Sequence, residues 1–357
     1  MSGATMTVPG RLEERVARLC ARVHEPLALL AAVAAKVRPV IPYRAAGWLL
    51  TDPDTLLLTG VHTENVTRAQ HLALIECELT TDDVNKFVDL ARREIPAASL
   101  SAATGGDLSR SARWLKVYQP AGYGDEMRGV FSDGAATWGH FCLTRASADP
   151  FFSDDEVDVM VRLCPHVANG IRACLQLAAR LGSPEPTSPA LVMLADDGSI
   201  ESTTPQVSDW LGPIDDENLG STIVLHEVAQ RARVLAEQGV GEPAMARARG
   251  RSGKWFVVRG VRLEDGQPEC GRTAVLLEPA NRSDIAPLLV QMHHLTHREK
   301  EITQLLLTGM AIRDIADELW ITADTLRGHV KSVFAKLGVN SRPELAALLS
   351  QEPVVWH

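Results

Sequence analysis

Residues 312–342 read IRDIADELWITADTLRGHVKSVFAKLGVNSR, and this stretch decides the fold of the C-terminal part of the chain. Ile315 and Leu319 predict a short helix with one buried face. Thr322 is a good helix-capping residue, and the helix that it opens ends at Gly338. The apolar stripe of this second helix consists of Leu326, Val330, Val333, Phe334 and Leu337. Two short helices joined by a tight turn predict a helix-turn-helix unit.

Capping signals on both sides extend this unit into a small helical domain. Thr296 and Glu299 form a capping box ahead of an apolar stripe, and Ser341 and Glu344 form another ahead of a final helix. We therefore expect a four-helix, all-α domain over residues 293–351.

Five segments of this domain carry a resemblance to a known family. They are LTHREKEI (295–302), DIADEL (314–319), ITADTL (321–326), HV (329–330) and AKLGVNSR (335–342). Together, and without gaps, they resemble the C-terminal DNA-binding domain of LuxR/FixJ-type regulators. The resemblance implies that the chain binds double-stranded DNA.

The outward face of the second helix is basic. Arg327 and Lys331 lie one turn apart on the side opposite the apolar stripe, and residues 325–342 contain four basic residues and no acid. Arg and Lys in the major groove donate to guanine O6 and N7. The resemblance implies base contacts from Arg327, Gly328 and Lys331. The backbone contacts that it implies come from Thr322, Thr325, His329 and Lys336.

Two features of this domain allow two interpretations each. Gly328 replaces the family's usual side chain, so it either permits close approach of the backbone to DNA or is a tolerated surface glycine. The family binds DNA as dimers across pseudo-palindromic half-sites, which implies a homodimer here. Leu345 and Leu348 of the final helix are candidates for the pairing surface or for the core.

The part of the chain ahead of this domain predicts two sheet-containing domains. Residues 1–183 alternate helices with two predicted hairpins and resemble a GAF domain. Residues 190–282 predict short strands around two helices and resemble a PAS-like domain. We expect linkers at the proline-rich residues 184–189 and at residues 283–292. The expected fold class is multidomain α+β followed by the all-α domain.

The aromatic residues concentrate in the GAF-like domain. Eleven of the chain's 17 aromatic residues lie between Tyr43 and Phe152. A cavity lined by rings predicts a small-molecule effector site, whereas the alternative is that the rings only fill a core. In that alternative the front domains act only in dimerisation or protein–protein interaction. The expected cavity residues are Trp48, Trp114, Tyr118, Trp138 and His140.

Composition and motifs exclude several other classes. The 357-residue chain has a net charge of −9, but residues 1–292 account for most of it, so the acidity does not argue against DNA binding by the basic helix. The six cysteines lack metal-like spacing. No phosphate-binding loop or nucleophile elbow is present, so we expect no enzyme activity, no metal and no cofactor. The longest apolar run is too short to span a bilayer, and we expect a cytoplasmic protein that does not bind membranes.

Overall fold

A computed structural model describes most of the chain, which divides into two compact units at residues 1–279 and 280–357. We call residues 8–180 the first sheet domain, residues 188–279 the second sheet domain and residues 282–349 the helical domain. The described residues are 8–22, 25–180, 188–214, 219–220, 222–239, 241–250, 253–263, 271–293 and 295–349. Most of the expected linker 184–189 lies outside them.

The first sheet domain is built from one antiparallel sheet with helices on both faces. Its elements are α1 (Val8–Cys20), α2 (Pro26–Val37), β1 (Ala45–Thr51), β2 (Leu58–Glu64), α3 (Arg68–Thr80), α4 (Phe87–Leu90), β3 (Ala97–Ser99), α5 (Leu100–Thr104), a 3-10 turn (Leu108–Arg110), a π-helical turn (Trp114–Tyr118), β4 (Tyr123–Ser132), β5 (Thr137–Ala146) and α6 (Asp154–Arg180).

Two helices, rather than a single one, occupy the N-terminal region. The apolar pattern predicts one helix over residues 11–38, but α2 starts anew at Pro26, capped by the Glu25 side chain. Proline disfavours helical geometry in the residue before it and fits the first turn of a new helix, which explains the break.

The spacing of Ser153 and Glu156 predicts a capping box, and this capping box is present at the start of α6.

The strand order of the first sheet is β2-β1-β5-β4-β3. Helices α1, α2 and α6 pack together, and α2 and α6 contact the sheet through fully buried side chains such as Leu29, Val33 and Ile171. The other face of the sheet meets α3 and α4 through a cluster that includes Leu49, Ile75 and Phe87. This second face positions the cavity described below.

The second sheet domain repeats the same strand order. Its elements are β6 (Ala190–Ala195), β7 (Ile200–Thr203), α7 (Val207–Leu211), α8 (Ile223–Gln238), β8 (Met245–Arg249), β9 (Trp255–Leu263) and β10 (Arg272–Pro279). The sheet runs β7-β6-β10-β9-β8, and Trp210, Val228 and Phe256 belong to its core. Two antiparallel α+β domains followed by a helical domain confirm the expected fold class.

The two sheet domains pack against each other within one unit. Helix α8 contacts α3 and β2, and β8 contacts β2. The Arg247 side chain and backbone donate to the buried carboxylate of Asp52 at distances of 2.6–2.8 Å. This buried ion pair ties β8 to the turn after β1.

The helical domain contains one helix more than the sequence predicts. Its elements are α9 (Arg282–Met292), α10 (His297–Leu307), α11 (Ile312–Glu318), α12 (Ala323–Leu337) and α13 (Arg342–Leu349). Residues 283–292, for which we expect a linker, form most of α9. Pro287 inside α9 weakens the local helical pattern, but an Asn281–Asp284 capping box and packing against α13 hold the helix.

Candidate DNA-binding surface and effector cavity

Local capping and a buried stripe fix the orientation of helix α12. The Thr322 hydroxyl accepts a hydrogen bond from the Thr325 backbone at 3.2 Å and so caps the helix. Leu326, Val333 and Leu337 are buried in the core of the helical domain. With these three side chains inward, the opposite face of α12 is directed to solvent.

This exposed face carries the residues expected to contact bases. Arg327, Gly328 and Lys331 are exposed, and so are the capping residues Thr322 and Thr325. Arg327 contacts Asp324 on the same face in a solvent-exposed ion pair. Such exposed pairs contribute little, so Arg327 remains available to a stronger acceptor. The face presents two cations and an N-terminal pair of hydroxyls.

The remaining backbone-contact candidates are less accessible. His329 and Lys336 are half-buried, and the Lys336 ammonium donates to Glu299 of α10 at 2.6 Å. Ser332 donates to the same carboxylate at 2.7 Å. Burial alone would raise the pKa of Glu299, but these hydrogen bonds and those from Thr296 hold it down at about 2. Lys336 therefore links α12 to α10. A phosphate that bound Lys336 would have to share its ammonium group with the Glu299 carboxylate.

The final helix contributes to the core. Leu345 is fully buried in the helical domain, and Leu348 packs against the same cluster at partial exposure. The structure thus favours a core role for Leu345 over a place on a dimer surface.

Substituting Gly328 by alanine is expected to stabilise the helical domain by about 1 kcal/mol, the difference in helix propensity. A Cβ at this position meets no atom within 4 Å, so the free protein can accept it. Thermal unfolding of the full chain measures the gain. Affinity for DNA separates the two interpretations of the glycine: a loss of binding in the stabilised variant supports close backbone approach, and unchanged binding supports a tolerated surface glycine.

The first sheet domain contains a cavity of about 320 Å³. It lies between the second face of the first sheet and helices α3 and α4, and α8 of the second sheet domain completes its wall. Small-molecule sites are typically concave, mostly apolar and at least this large. Tyr118 and His140, two of the five expected cavity residues, line it.

His140 is the most unusual polar group of the cavity wall. Its side chain is 1% exposed, and neither ring nitrogen has a hydrogen-bond partner within the described part of the chain. The ring stacks on Phe87 with the centroids 4.1 Å apart. Burial, together with the nearby Arg128, lowers the pKa of His140 to about 3. A neutral imidazole therefore faces the cavity with one donor and one acceptor to offer.

Trp48, Trp114 and Trp138 do not line this cavity. Trp48 stacks on Phe131 and Phe141, on the face of the sheet that α6 covers. The Trp114 indole donates to the Gly124 carbonyl at 3.0 Å.

A β-bulge changes the side of the sheet on which Trp138 lies. Strict alternation along β5 predicts that Trp138 lies on the same face as His140. However, Phe131 pairs with Gly139 and Ser132 with Thr137, so Trp138 is the extra residue of a bulge and does not follow that alternation. Its indole donates to Asp133 at 3.0 Å.

Several wall residues are not among those that the sequence predicts, and Glu227 is the most informative of them. Glu227 lies on α8, is 6% exposed, and has a pKa that burial and the nearby Glu78 raise to about 8. An acid within the stretch IVLHEVA (223–229), which is apolar apart from His226 and Glu227, is a signal of unusual burial. His71 on α3 also lines the cavity, and burial lowers its pKa to about 4.

The cysteines at 20, 77, 142, 164 and 174 are free thiols, whereas Cys270 lies outside the described residues. Burial raises the pKa of Cys142, in the cavity wall, to about 11. Within the described ranges, no group of three or more His, Cys, Asp or Glu side chains is arranged to hold a metal ion. No helix in this part of the chain is long and apolar enough to cross a membrane.

A helix-turn-helix whose second helix exposes a basic face defines the class of DNA-binding regulators. Residues 293–349 match the family described as bacterial regulatory proteins, luxR family. The spore germination protein GerE of Bacillus subtilis is 40% identical over 50 residues, which cover 14% of this chain and 68% of GerE. The chain therefore belongs to the LuxR family of bacterial regulatory proteins.

Two further similarities concern parts of the chain. The transcriptional regulatory protein DegU of Brevibacillus brevis is 38% identical over 53 residues, which cover 15% of this chain and 22% of DegU. The GAF domain from Acinetobacter phosphoenolpyruvate-protein phosphotransferase is similar at 11% identity and a TM-score of 0.33, over 51% of this chain and 100% of that domain.

Proposed function

We propose that the chain is a sequence-specific transcriptional regulator that inserts α12 into the major groove of its operator. Arg327, Gly328 and Lys331 contact bases, and Thr322 and Thr325 at the helix N-terminus contact phosphates. The observation that carries the proposal is the solvent-exposed basic face of α12, opposite a stripe in which Leu326, Val333 and Leu337 are buried. His329 and Lys336 are secondary backbone contacts.

The same proposal includes dimerisation and effector control. A homodimer on a pseudo-palindromic operator places two copies of α12 about one helical turn apart. A small molecule in the cavity of the first sheet domain shifts the population of DNA-competent dimers, which requires that it bind the two states with different affinity. The regulator acts in the cytoplasm, where its DNA lies.

Selection of duplexes from a random DNA pool by the full chain tests the DNA-binding part. We expect enrichment of one pseudo-palindromic sequence, bound at least about 1,000-fold more tightly than a shuffled duplex, as is usual for specific regulators. Because residues 1–292 carry a net negative charge, we also expect weak binding to the shuffled duplex. Recovery of unrelated sequences with equal affinity would contradict specific recognition.

A further inference from the structure

The deepest polar groups of the cavity wall carry little net charge, whereas the less buried part of the wall holds the charged side chains of Asp54, Glu78, Lys86, Arg92, Arg231 and Glu242. The polar residues of the wall that are more than nine-tenths buried are His71, Tyr118, Arg128, His140 and Glu227, and the Tyr118 hydroxyl donates to Glu126. The Arg128 guanidinium donates to Glu78 at 2.9 Å, which pairs its charge. Burial lowers the pKa of both histidines to about 4 or below and raises that of Glu227 to about 8. Near pH 7 the two imidazoles and the Glu227 carboxyl are therefore mostly uncharged.

Both sheet domains contribute to this wall. Leu49 of β1 and His140 of β5 come from the first sheet domain, whereas Glu227 and Arg231 come from α8 of the second. Helix α8 also packs on α3 and β2. A molecule in the cavity is therefore held by both domains at once.

We infer that the cavity binds an uncharged, largely apolar small molecule that hydrogen-bonds to His140 and Glu227 and so bridges the two sheet domains. This inference rests on the proposed function, because it gives a chemical class to the effector of the same cavity. The strongest support for this inference is that neither ring nitrogen of His140 has a hydrogen-bond partner among the described residues. A buried imidazole without partners is unfavourable, and a bound hydrogen-bonding group would satisfy it.

The rest of the wall supports an apolar body for this molecule. Leu49, Leu57, Ile75 and Phe87 line the space between the polar groups. A ligand with a formal charge would have to leave water for the inner part of the cavity, where the groups that are more than nine-tenths buried are neutral or, like Arg128, already paired, and this is costly. An uncharged molecule with one or two hydrogen-bonding groups avoids that cost.

A matched pair of fluorescent probes tests this class directly on the full chain, without DNA. N-phenyl-1-naphthylamine is uncharged and apolar and carries one N–H donor, and 8-anilinonaphthalene-1-sulfonate adds a sulfonate to the same skeleton. We expect the first probe to saturate one site per chain at pH 7. We expect the second to bind at least about tenfold more weakly, because its charge must be desolvated.

Three variants locate the probe. His140→Phe keeps the stack on Phe87 but removes the acceptor, and we expect about tenfold weaker binding of the uncharged probe. His166→Phe is the matched control: this histidine of α6 is partly exposed, contacts Glu13 and is not in the cavity wall, so the substitution should change binding less than twofold. Ala91→Phe fills the cavity from a partly exposed wall position and should abolish binding even if His140→Phe does not fold.

Three results would overturn the inference. They are no saturable binding of the uncharged probe, equal or tighter binding of the sulfonate, and full retention of binding in both His140→Phe and Ala91→Phe. None of these results alters the duplex selection, so failure of the ligand class is distinguishable from failure of the DNA-binding function.

Discussion

Replacing Arg247 by alanine is expected to lower the free energy of unfolding of the sheet domains by about 3–5 kcal/mol, the usual cost of removing one partner from a buried ion pair. The Arg247 side chain is 2% exposed and that of Asp52 is fully buried. Without the guanidinium, the Asp52 carboxylate loses two of the hydrogen bonds that compensate its burial. Asp54, which also contacts Arg247, is partly exposed and can be hydrated.

Urea unfolding followed by tryptophan fluorescence measures this loss. The matched control is Arg259→Ala on the neighbouring strand β9, where the arginine is exposed, and a change below about 1 kcal/mol is expected there. A double-mutant cycle with Asp52→Ala separates the pair from its surroundings. Equal losses for Arg247→Ala and Arg259→Ala would show that the buried pair does not hold the two sheet domains together.

The double substitution Arg327→Ala with Lys331→Ala is expected to reduce affinity for the selected duplex by at least about 100-fold. Each good base contact of this kind contributes about 1–3 kcal/mol of discrimination. Both side chains are exposed, so their loss should leave the helical domain folded. Fluorescence anisotropy with the selected and shuffled duplexes measures both affinity and discrimination.

The control for this prediction removes a positive charge elsewhere in the helical domain. Lys300 lies on α10, so the substitution Lys300→Ala removes one positive charge without changing the exposed face of α12. It should keep the preference for the selected duplex. If the double variant also kept that preference in full, α12 would not be the element that reads the sequence.

The helical domain could be predicted closely because its signals are local. The Thr296–Glu299 and Thr322 caps begin α10 and α12 at the expected residues, and Gly338 ends α12 in a left-handed conformation. The buried stripe then fixes which side chains are exposed. Within the sheet domains, the apolar patterns likewise predict strands over Ala45–Thr51 and Trp255–Leu263 and a helix over Ile223–Gln238, and these are the bounds of β1, β9 and α8.

The cavity could not be predicted from local patterns to the same extent. Alternation along a strand separates two faces but does not tell which face meets α6 and which meets α4, so Trp48 was expected on the wrong side. A bulge displaced Trp138 from the simple alternation. Glu227 reaches the wall from another domain, far along the sequence, and only tertiary packing brings it to His140.

The most direct test of the central claim is the salt dependence of binding to the selected duplex. Each phosphate that a cation neutralises adds about 0.9 to the slope of log affinity against log salt concentration. In the proposed complex the Lys331 ammonium lies in the major groove between the two phosphate strands, so it displaces counterions while it contacts a base. For Lys331→Ala in the full chain, we therefore expect weaker binding and a slope shallower by up to about one unit than that of the native protein. Unchanged affinity with an unchanged slope would contradict the assignment of α12 as the DNA-binding helix.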